Sequence, residues 1–415
     1  MNKVIGYKCS RCGEEYNLDE VTYLCPADKG VLDIVLDFDG IAQATRPSDL
    51  QSSNDYSMWR YLPLLPVDDP GHHGTPLRSV GWTPVYKPPR LAGELGVKNL
   101  WLKDESSNPS ASFKDRASAL VIARAAEIGA EVIVTASTGN AGAALAGMAA
   151  AAGQKAVIFA PRTAPQAKIA QLLVYGSQVI LVDGSYNDAV ALAVEASDAF
   201  GWYCRNTGYN PFTAEGKKTA ALEIWEQVLQ TTKVSKPFTV FVPVGDGNII
   251  SGIHKGFKDL CALGWLEHMP RIFGVQSEGS AAVANAYLAG TEDIESVSSD
   301  TLADSISVDM PSDGLRALRA ATQTNGAYIK VADEDILQAI AALGKVGIFS
   351  EPAAASAYAG LVQAVEEGQI NPGDPVVVML TGSGLKDIKA AMQAVGEAPV
   401  IKPSLEALRE VIRNE

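Results

Sequence analysis

Positive charge is in short supply in this sequence. Its 34 lysines and arginines face 48 aspartates and glutamates, a net charge of −14 over 415 residues. Such a field repels nucleic-acid phosphates and anionic membrane surfaces. No clustered Lys/Arg face offsets it, so no nucleic-acid or membrane partner is expected, and small metabolites fit better. Long apolar runs are missing too: none approaches the ~20 residues that a membrane span needs. Met1–Gly6 lacks the charged-then-apolar pattern of a secretion signal. Cysteine is scarce and odd in number, with Cys9, Cys12, Cys25, Cys204 and Cys261. An odd set in a long chain is a poor disulfide framework and points to a reducing, cytoplasmic compartment.

What is present is ordinary for a globular protein: 47% hydrophobic and 20% charged residues. A chain of this length can bury most of its apolar surface without staples and is expected to hold two or three domains. Residues 1–38 form a separate ribbon-like module. Cys9-Ser10-Arg11-Cys12 is a knuckle, and Cys25-Pro26-Ala27-Asp28 has one cysteine where a zinc ribbon has two. A tetrahedral structural zinc wants four ligands, and Asp28 occupies the fourth place. The module is read as a ribbon without its metal. The alternative is zinc held by Cys9, Cys12, Cys25 and Asp28. Residues 39–75 are polar, then Pro-rich, and read as a connector wrapped on the surface.

From residue 80 onward, strand-like and helix-like segments alternate. Strands are expected at Leu100–Lys103, Val132–Val134, Ala156–Ala160, Val179–Val182, Phe238–Val242, Ile272–Val275 and Val376–Leu380. Helices are expected at Lys114–Ile128, Gly139–Ala152, Pro165–Val174 and Asp188–Phe200. Val/Ile runs between helices indicate parallel strands buried on both faces. The class is therefore α/β with doubly wound sheets.

Four constellations lie where strands end and helices begin, the place where open parallel sheets bind ligands. The first, Asn108 to Arg116, sets Lys114 in the first turn of a helix, with Ser112 as the expected N-cap. A cation there opposes the helix dipole, which favours the neutral, nucleophilic amine. The plain alternative is a solvated surface lysine. The second, Ser137-Thr138-Gly139-Asn140, offers hydroxyls and free backbone N–H groups to a carboxylate, or is simply a helix cap. The third, Gly245-Asp246-Gly247-Asn248, is a loop through which a backbone can approach a phosphate. Asp246 is unexpected beside a phosphate unless its side chain points away or caps the helix. The fourth, Thr381-Gly382-Ser383-Gly384, could present the Thr381 hydroxyl to a ring nitrogen.

With these residues in this order, the sequence resembles the threonine synthases, which are fold-type-II pyridoxal-phosphate enzymes (tryptophan synthase β-like). The likeness runs from Gly81 to Asp387. It implies two doubly wound domains with pyridoxal 5'-phosphate in the cleft, carried by Lys114 as a Schiff base. Asn140 would meet the cofactor's ring hydroxyl, Gly245, Asp246, Gly247 and Asn248 its phosphate, and Thr381 its pyridine nitrogen. Ser137 and Thr138 would take the substrate carboxylate. The activity implied is conversion of O-phosphohomoserine and water to threonine and phosphate, with Lys114 moving protons at the α and β carbons.

Three departures from the family pattern stand out. Ala111 replaces a glycine, Ser383 a larger polar residue, and Thr213 an arginine in Asn210-Pro211-Phe212-Thr213-Ala214-Glu215-Gly216-Lys217-Lys218. An arginine clamps phosphate through two hydrogen bonds, and threonine cannot. Lys217, Arg205 or Arg162 is left to supply the charge, with Asn206 and Asn210 as neutral donors. The alternatives are a serine/threonine ammonia-lyase, a β-replacement enzyme such as a cysteate synthase, or a non-enzymatic binding protein with an unmodified Lys114. The expected layout is a small domain, residues 121–215, set into a large one, residues 76–120 and 216–400. A C-terminal helix within residues 401–415 is amphipathic enough to pack across a homodimer.

Overall fold

The structure, a computed structural model, describes residues 3–164, 166–232 and 238–414. Three sheets organise it. The first is antiparallel, in the order β2-β1-β3, from Val4–Cys9 (β1), Glu15–Tyr16 (β2) and Leu32–Leu36 (β3). Next along the chain come Val85–Tyr86 (β4), Asn99–Asp104 (β5), Val132–Ala136 (β6), Lys155–Pro161 (β7), Gln178–Val182 (β8) and Tyr203–Cys204 (β9). The last strands are Thr239–Pro243 (β10), Arg271–Ser277 (β11), Ala327–Val331 (β12) and Pro375–Leu380 (β13). Strands β8-β7-β6-β9 make a four-stranded parallel sheet. Strands β12-β11-β10-β13-β5-β4 make a six-stranded sheet, parallel except where β4 pairs with β5 at the edge.

The apolar runs explain the sheets. Every residue of β10 and β13 is buried, as strands covered by helices on both faces require. The expected strands at Leu100, Val132, Ala156, Val179, Ile272 and Val376 all form, each longer than its apolar centre by a residue or more, and the one expected at Phe238–Val242 forms one residue later, at Thr239–Pro243. The expected helices form as Lys114–Glu127, Asn140–Ala152, Gln166–Val174 and Tyr186–Phe200; Pro165 lies outside the described residues. The helix Phe212–Ile224 is buried at all of its 13 positions.

Two expectations fail. Residues 39–75 do not wrap the surface as a connector. They hold short helices at Phe38–Ala44 and Pro47–Gln51 and a 3-10 segment at Met58–Leu64. Met58, Trp59, Tyr61, Leu64 and Leu65 are buried in the core, and Arg60 makes a buried ion pair with Glu226 at 2.6 Å. Local polarity hid this because the partners are about 165 residues away. Ser112 also fails as N-cap. Phe113 holds that position, and Ser112 Oγ is buried with no hydrogen-bond partner among the described residues. A tertiary contact overrides the local preference: Ser112 bridges to Gly382, Phe113 N–H donates to the Thr381 carbonyl at 2.9 Å, and Ser383 N–H donates to the Ala111 carbonyl at 3.1 Å.

That short antiparallel contact joins the lysine motif to the end of β13. It also puts Ala111 at φ +61, in the left-handed region that favours glycine. Next to it, Arg116 anchors the first turns of the lysine helix. It donates to Glu105 at 2.7 and 2.8 Å and to Glu223 at 2.6 and 2.8 Å, while Lys103 donates to Glu223 at 2.6 Å. All four side chains are sealed from solvent.

Candidate active site

The carboxyl ends of β6, β10 and β13 and the turns that follow them open onto one cleft of about 970 Å³. Lys114, Ser137, Thr138, Asn140, Arg205, Asn206, Lys217, Gly245 to Asn248 and Thr381 all line it. The four motifs are therefore brought together, as their places at strand ends imply.

Lys114 begins its helix and makes no hydrogen bond or ion pair among the described residues. Burial first, and the nearby Arg205 second, pull its amine down to about 8. The helix dipole argued from sequence acts in the same direction, but desolvation is the larger cause. Arg205 is 1% exposed; Nε donates to Ser118 at 3.2 Å and Nη1 to Thr207 at 2.8 Å. Its Nη2 has no partner among the described residues. Burial pulls its guanidinium down to about 10, so it remains charged at neutral pH. Lys217 donates to Asn248 Oδ1 at 2.7 Å, and burial with the charges of Lys114 and Arg205 holds it well below the usual lysine range. Three basic side chains therefore crowd one cleft, and their proximity favours the neutral form of the two lysines.

The glycine loop is built for close approach. A Cβ on Gly245 would lie 2.7 Å from the Ile306 Cα, and one on Gly247 2.7 Å from the Asp313 carbonyl oxygen. Gly247 takes φ +91 and leads into the helix Asn248–Ala262, whose first backbone N–H groups lack helical acceptors. Asp246 is resolved by Ser312, whose backbone N–H donates to it at 2.9 Å and whose hydroxyl also donates to it. It does not cap the helix, since Gly247 is the N-cap. Burial raises its carboxyl, and Lys217 opposes that rise.

Asn206 Oδ1 accepts from Thr135 Oγ1 at 2.9 Å and from Ala136 N at 3.1 Å, while its Nδ2 is buried without a partner. Asn210 is not brought into the cleft: it donates to the Cys204 carbonyl at 2.8 Å and accepts from Phe212 N at 2.9 Å. Thr213 is also turned inward, donating to the Asn210 carbonyl at 2.7 Å. Arg162 is exposed and 3.5 Å from Asp183. Of the cations weighed for the missing arginine, only Arg205 and Lys217 reach the cleft.

Sequence reasoning missed Glu351. It lies in the cleft at the start of the helix Pro352–Glu366, 3% exposed, and Asn140 Nδ2 donates to its two oxygens at 2.9 and 3.1 Å. Burial raises its carboxyl. The available signal was an acid directly ahead of an Ala-rich helix; it is the N-cap residue, but its side chain makes no capping hydrogen bond and is left for the cleft.

Comparison with known proteins fits this geometry. The family of pyridoxal-phosphate dependent enzymes matches residues 77–382. A threonine synthase of Methanocaldococcus jannaschii is 36% identical over 410 residues, covering 98% of this chain and 99% of its own. One from Synechocystis is 34% identical over 359 residues, covering 85% and 89%. Among solved structures, the processed form of threonine deaminase isoform 2 from Solanum lycopersicum superposes with a TM-score of 0.66 at 23% identity, covering 86% of this chain and 89% of its own. An O-ureido-L-serine synthase gives a TM-score of 0.66 at 20% identity, covering 81% and 99%. At these identities the two structures show a shared fold.

Proposed function

The chain belongs to the pyridoxal-phosphate-dependent enzymes and, among them, to the threonine synthase family, and on that footing we propose that it converts O-phosphohomoserine and water to threonine and phosphate. The observation that carries this substrate is Arg205. It is a buried guanidinium in the cleft with an orphaned Nη2 and no carboxylate partner among the described residues. A buried charge without a counter-ion is costly, and a phosphate group supplies what it lacks.

The residues present fit the cofactor. Lys114 offers an amine with a lowered pKa and no other partner, Gly245 to Asn248 line the cleft at the start of a helix with its first N–H groups free of helical acceptors, and the Thr381 hydroxyl lines the same cleft. When bound, pyridoxal phosphate supplies an electron sink that stabilises negative charge on the carbon beside the substrate amine. The chain's own residues do the rest. The backbone N–H groups and hydroxyls of Ser137 and Thr138, ahead of the Asn140 helix, hold the substrate carboxylate. Arg205 and the unpaired Nδ2 of Asn206 hold its phosphate, with Lys217 beside them as a further donor. That orientation leaves the α and β carbons to Lys114. With its amine near 8, Lys114 takes protons from the α and β carbons close to neutral pH; phosphate leaves the γ carbon, which gains a proton to become the methyl group, water adds its hydroxyl at the β carbon, and the α carbon is reprotonated.

The five cysteines, all free, support a reducing cytoplasmic setting for the enzyme. We also read it as a homodimer. A partner copy would cover Leu405, Leu408 and Ile412, the apolar residues left exposed on the C-terminal helix Leu405–Asn414, and sedimentation tests this.

The direct test supplies O-phosphohomoserine to the purified holoenzyme, with serine, threonine and O-phosphoserine in parallel. Stoichiometric phosphate and threonine from the first is the expected result. Turnover of one of the others alone would replace this reading with an ammonia-lyase or β-replacement activity.

A further inference from the structure

The N-terminal sheet carries a second constellation whose members do not line the reaction cleft. Cys9 ends β1, Cys12 sits in the turn to β2, and Cys25 and Asp28 lie in the loop before β3. Their ligand atoms all fall within 4.8 Å of one another. Cys12 Sγ and Cys25 Sγ are 3.7 Å apart, and Cys9 Sγ and Asp28 Oδ1 are 3.4 Å apart. A disulfide needs about 2.05 Å between sulfurs, so this is not a bonded pair. Zinc–sulfur bonds of about 2.3 Å and a zinc–oxygen bond of about 2.1 Å at tetrahedral angles put two sulfurs ~3.8 Å apart and a sulfur and an oxygen ~3.6 Å apart. The two separations lie within about 0.2 Å of these values, and the remaining ones are within 4.8 Å.

The surroundings hold the four groups in place. Arg11 N–H donates to Cys9 Sγ at 3.3 Å, Gly30 N–H donates to Asp28 Oδ1 at 2.8 Å, and Tyr16 Oη lies 3.1 Å from Cys25 Sγ. Partners of this kind orient metal ligands in closed structural sites. Gly30 has no room for a side chain, since a Cβ there would lie 2.6 Å from Cys9 Sγ and 2.9 Å from Asp28 Oδ1. The sequence reading left this module without its metal because the fourth cysteine is missing. The fold instead brings Asp28 to the place where a fourth ligand is needed.

We propose that Cys9, Cys12, Cys25 and Asp28 form a structural zinc site with three thiolates and one carboxylate. Binding releases the thiol protons to solvent, and all four coordination positions are filled by protein, so the site does no chemistry of its own. Its consequence is positional. The same loop carries Tyr23, which stacks on Tyr209 at 4.5 Å and accepts the Cys204 N–H at 2.8 Å, and Leu24 and Lys29, which line the rim of the cleft. Cys204 immediately precedes Arg205, so the metal clip braces the strand that delivers the buried guanidinium.

The test is metal analysis of the full-length holoenzyme, loaded with zinc and then desalted, together with zinc-edge X-ray absorption. One zinc per chain with three sulfur neighbours and one oxygen is expected. Cys12→Ser should lose the metal, Asp28→Cys should keep it with four sulfur neighbours, and Cys261→Ser should keep it unchanged. No bound zinc after loading would overturn the proposal. So would zinc retained in full by Cys12→Ser, or a coordination shell without sulfur. If Cys12→Ser does not fold, the wild-type stoichiometry and coordination shell decide the matter by themselves.

Discussion

Arg116 and Arg205 are both sealed inside the protein, and they are held in opposite ways. Arg116 donates to two carboxylates, Glu105 and Glu223, and to the Thr219 hydroxyl at 2.9 Å. Arg205 meets two hydroxyls, no carboxylate, and leaves one nitrogen unpaired among the described residues. The first charge is held far above its ordinary value by its carboxylates; the second is pulled down by burial to about 10. The two surroundings serve different ends. Around Arg116 every charge is matched, and the network fixes where the lysine helix starts. In the cleft, Lys114, Arg205 and Lys217 are left short of anions, and that deficit is what a doubly phosphorylated ground state, cofactor plus substrate, would fill.

Variants that cross the two regions break or sharpen this contrast. The largest effect is expected at the cleft's centre. Lys114→Ala should lower turnover by at least about 10⁴-fold with the fold intact by circular dichroism, because Lys217, the other lysine deep in the cleft, is held by Asn248. Retained activity in that variant would overturn the mechanism. Arg116→Gln should cost about 3–5 kcal/mol, read as a fall in the urea midpoint, because Glu105 would keep its buried charge without a cation and Glu223 would be left with Lys103 alone. Arg205→Gln should leave the urea midpoint unchanged or raised. Its cost should appear as a loss of about 100-fold in kcat/KM on O-phosphohomoserine, or about 3 kcal/mol. A large stability loss in this variant would erase the distinction between the two arginines.

Smaller effects test the electrostatics. In the cofactor-free protein, the rate of pyridoxal-phosphate attachment should rise about fivefold from pH 7 to 8 and then level off above about 9, following an amine near 8. An ordinary lysine would keep gaining about tenfold per pH unit. The sign for stability is opposite to that of a paired lysine. The folded value lies below the unfolded one, so the unfolded chain binds more protons between about 8 and 10.5, and the cofactor-free fold gains stability as pH rises through that window. Smallest is Ala111→Gly, which relieves a left-handed alanine and should add about 1 kcal/mol.

Much of the scaffold was legible because its signals are local. The Val/Ile runs at Val132, Ile272 and Val376 marked buried parallel strands, and motif residues at their ends marked the cleft. What escaped reading depends on contacts between distant segments. Trp59, Arg60 and Tyr61 looked like part of a surface connector until Glu226 was seen to bind the arginine and the tyrosine. Ser112 looked like a cap until the Gly382 bridge was seen. Strand β12 was not anticipated; its sequence, Ala-Tyr-Ile-Lys-Val, is short and interrupted by a lysine. Glu351 has a role only because the fold sets Asn140, 211 positions away, against it. Arg205 was one of three cations considered for a phosphate, and only the placement of the other two, Arg162 at the surface and Lys217 on Asn248, distinguishes it.

The central claim is that unpaired buried charge in the cleft exists for a phosphorylated substrate. The most direct measurement compares wild type with Arg205→Gln for kcat/KM on O-phosphohomoserine and for the affinity of an unphosphorylated amino acid, read from the cofactor's absorbance. The account predicts a selective loss, about 100-fold on the phosphorylated substrate and little on the other. An equal change in both, or none in either, would contradict it.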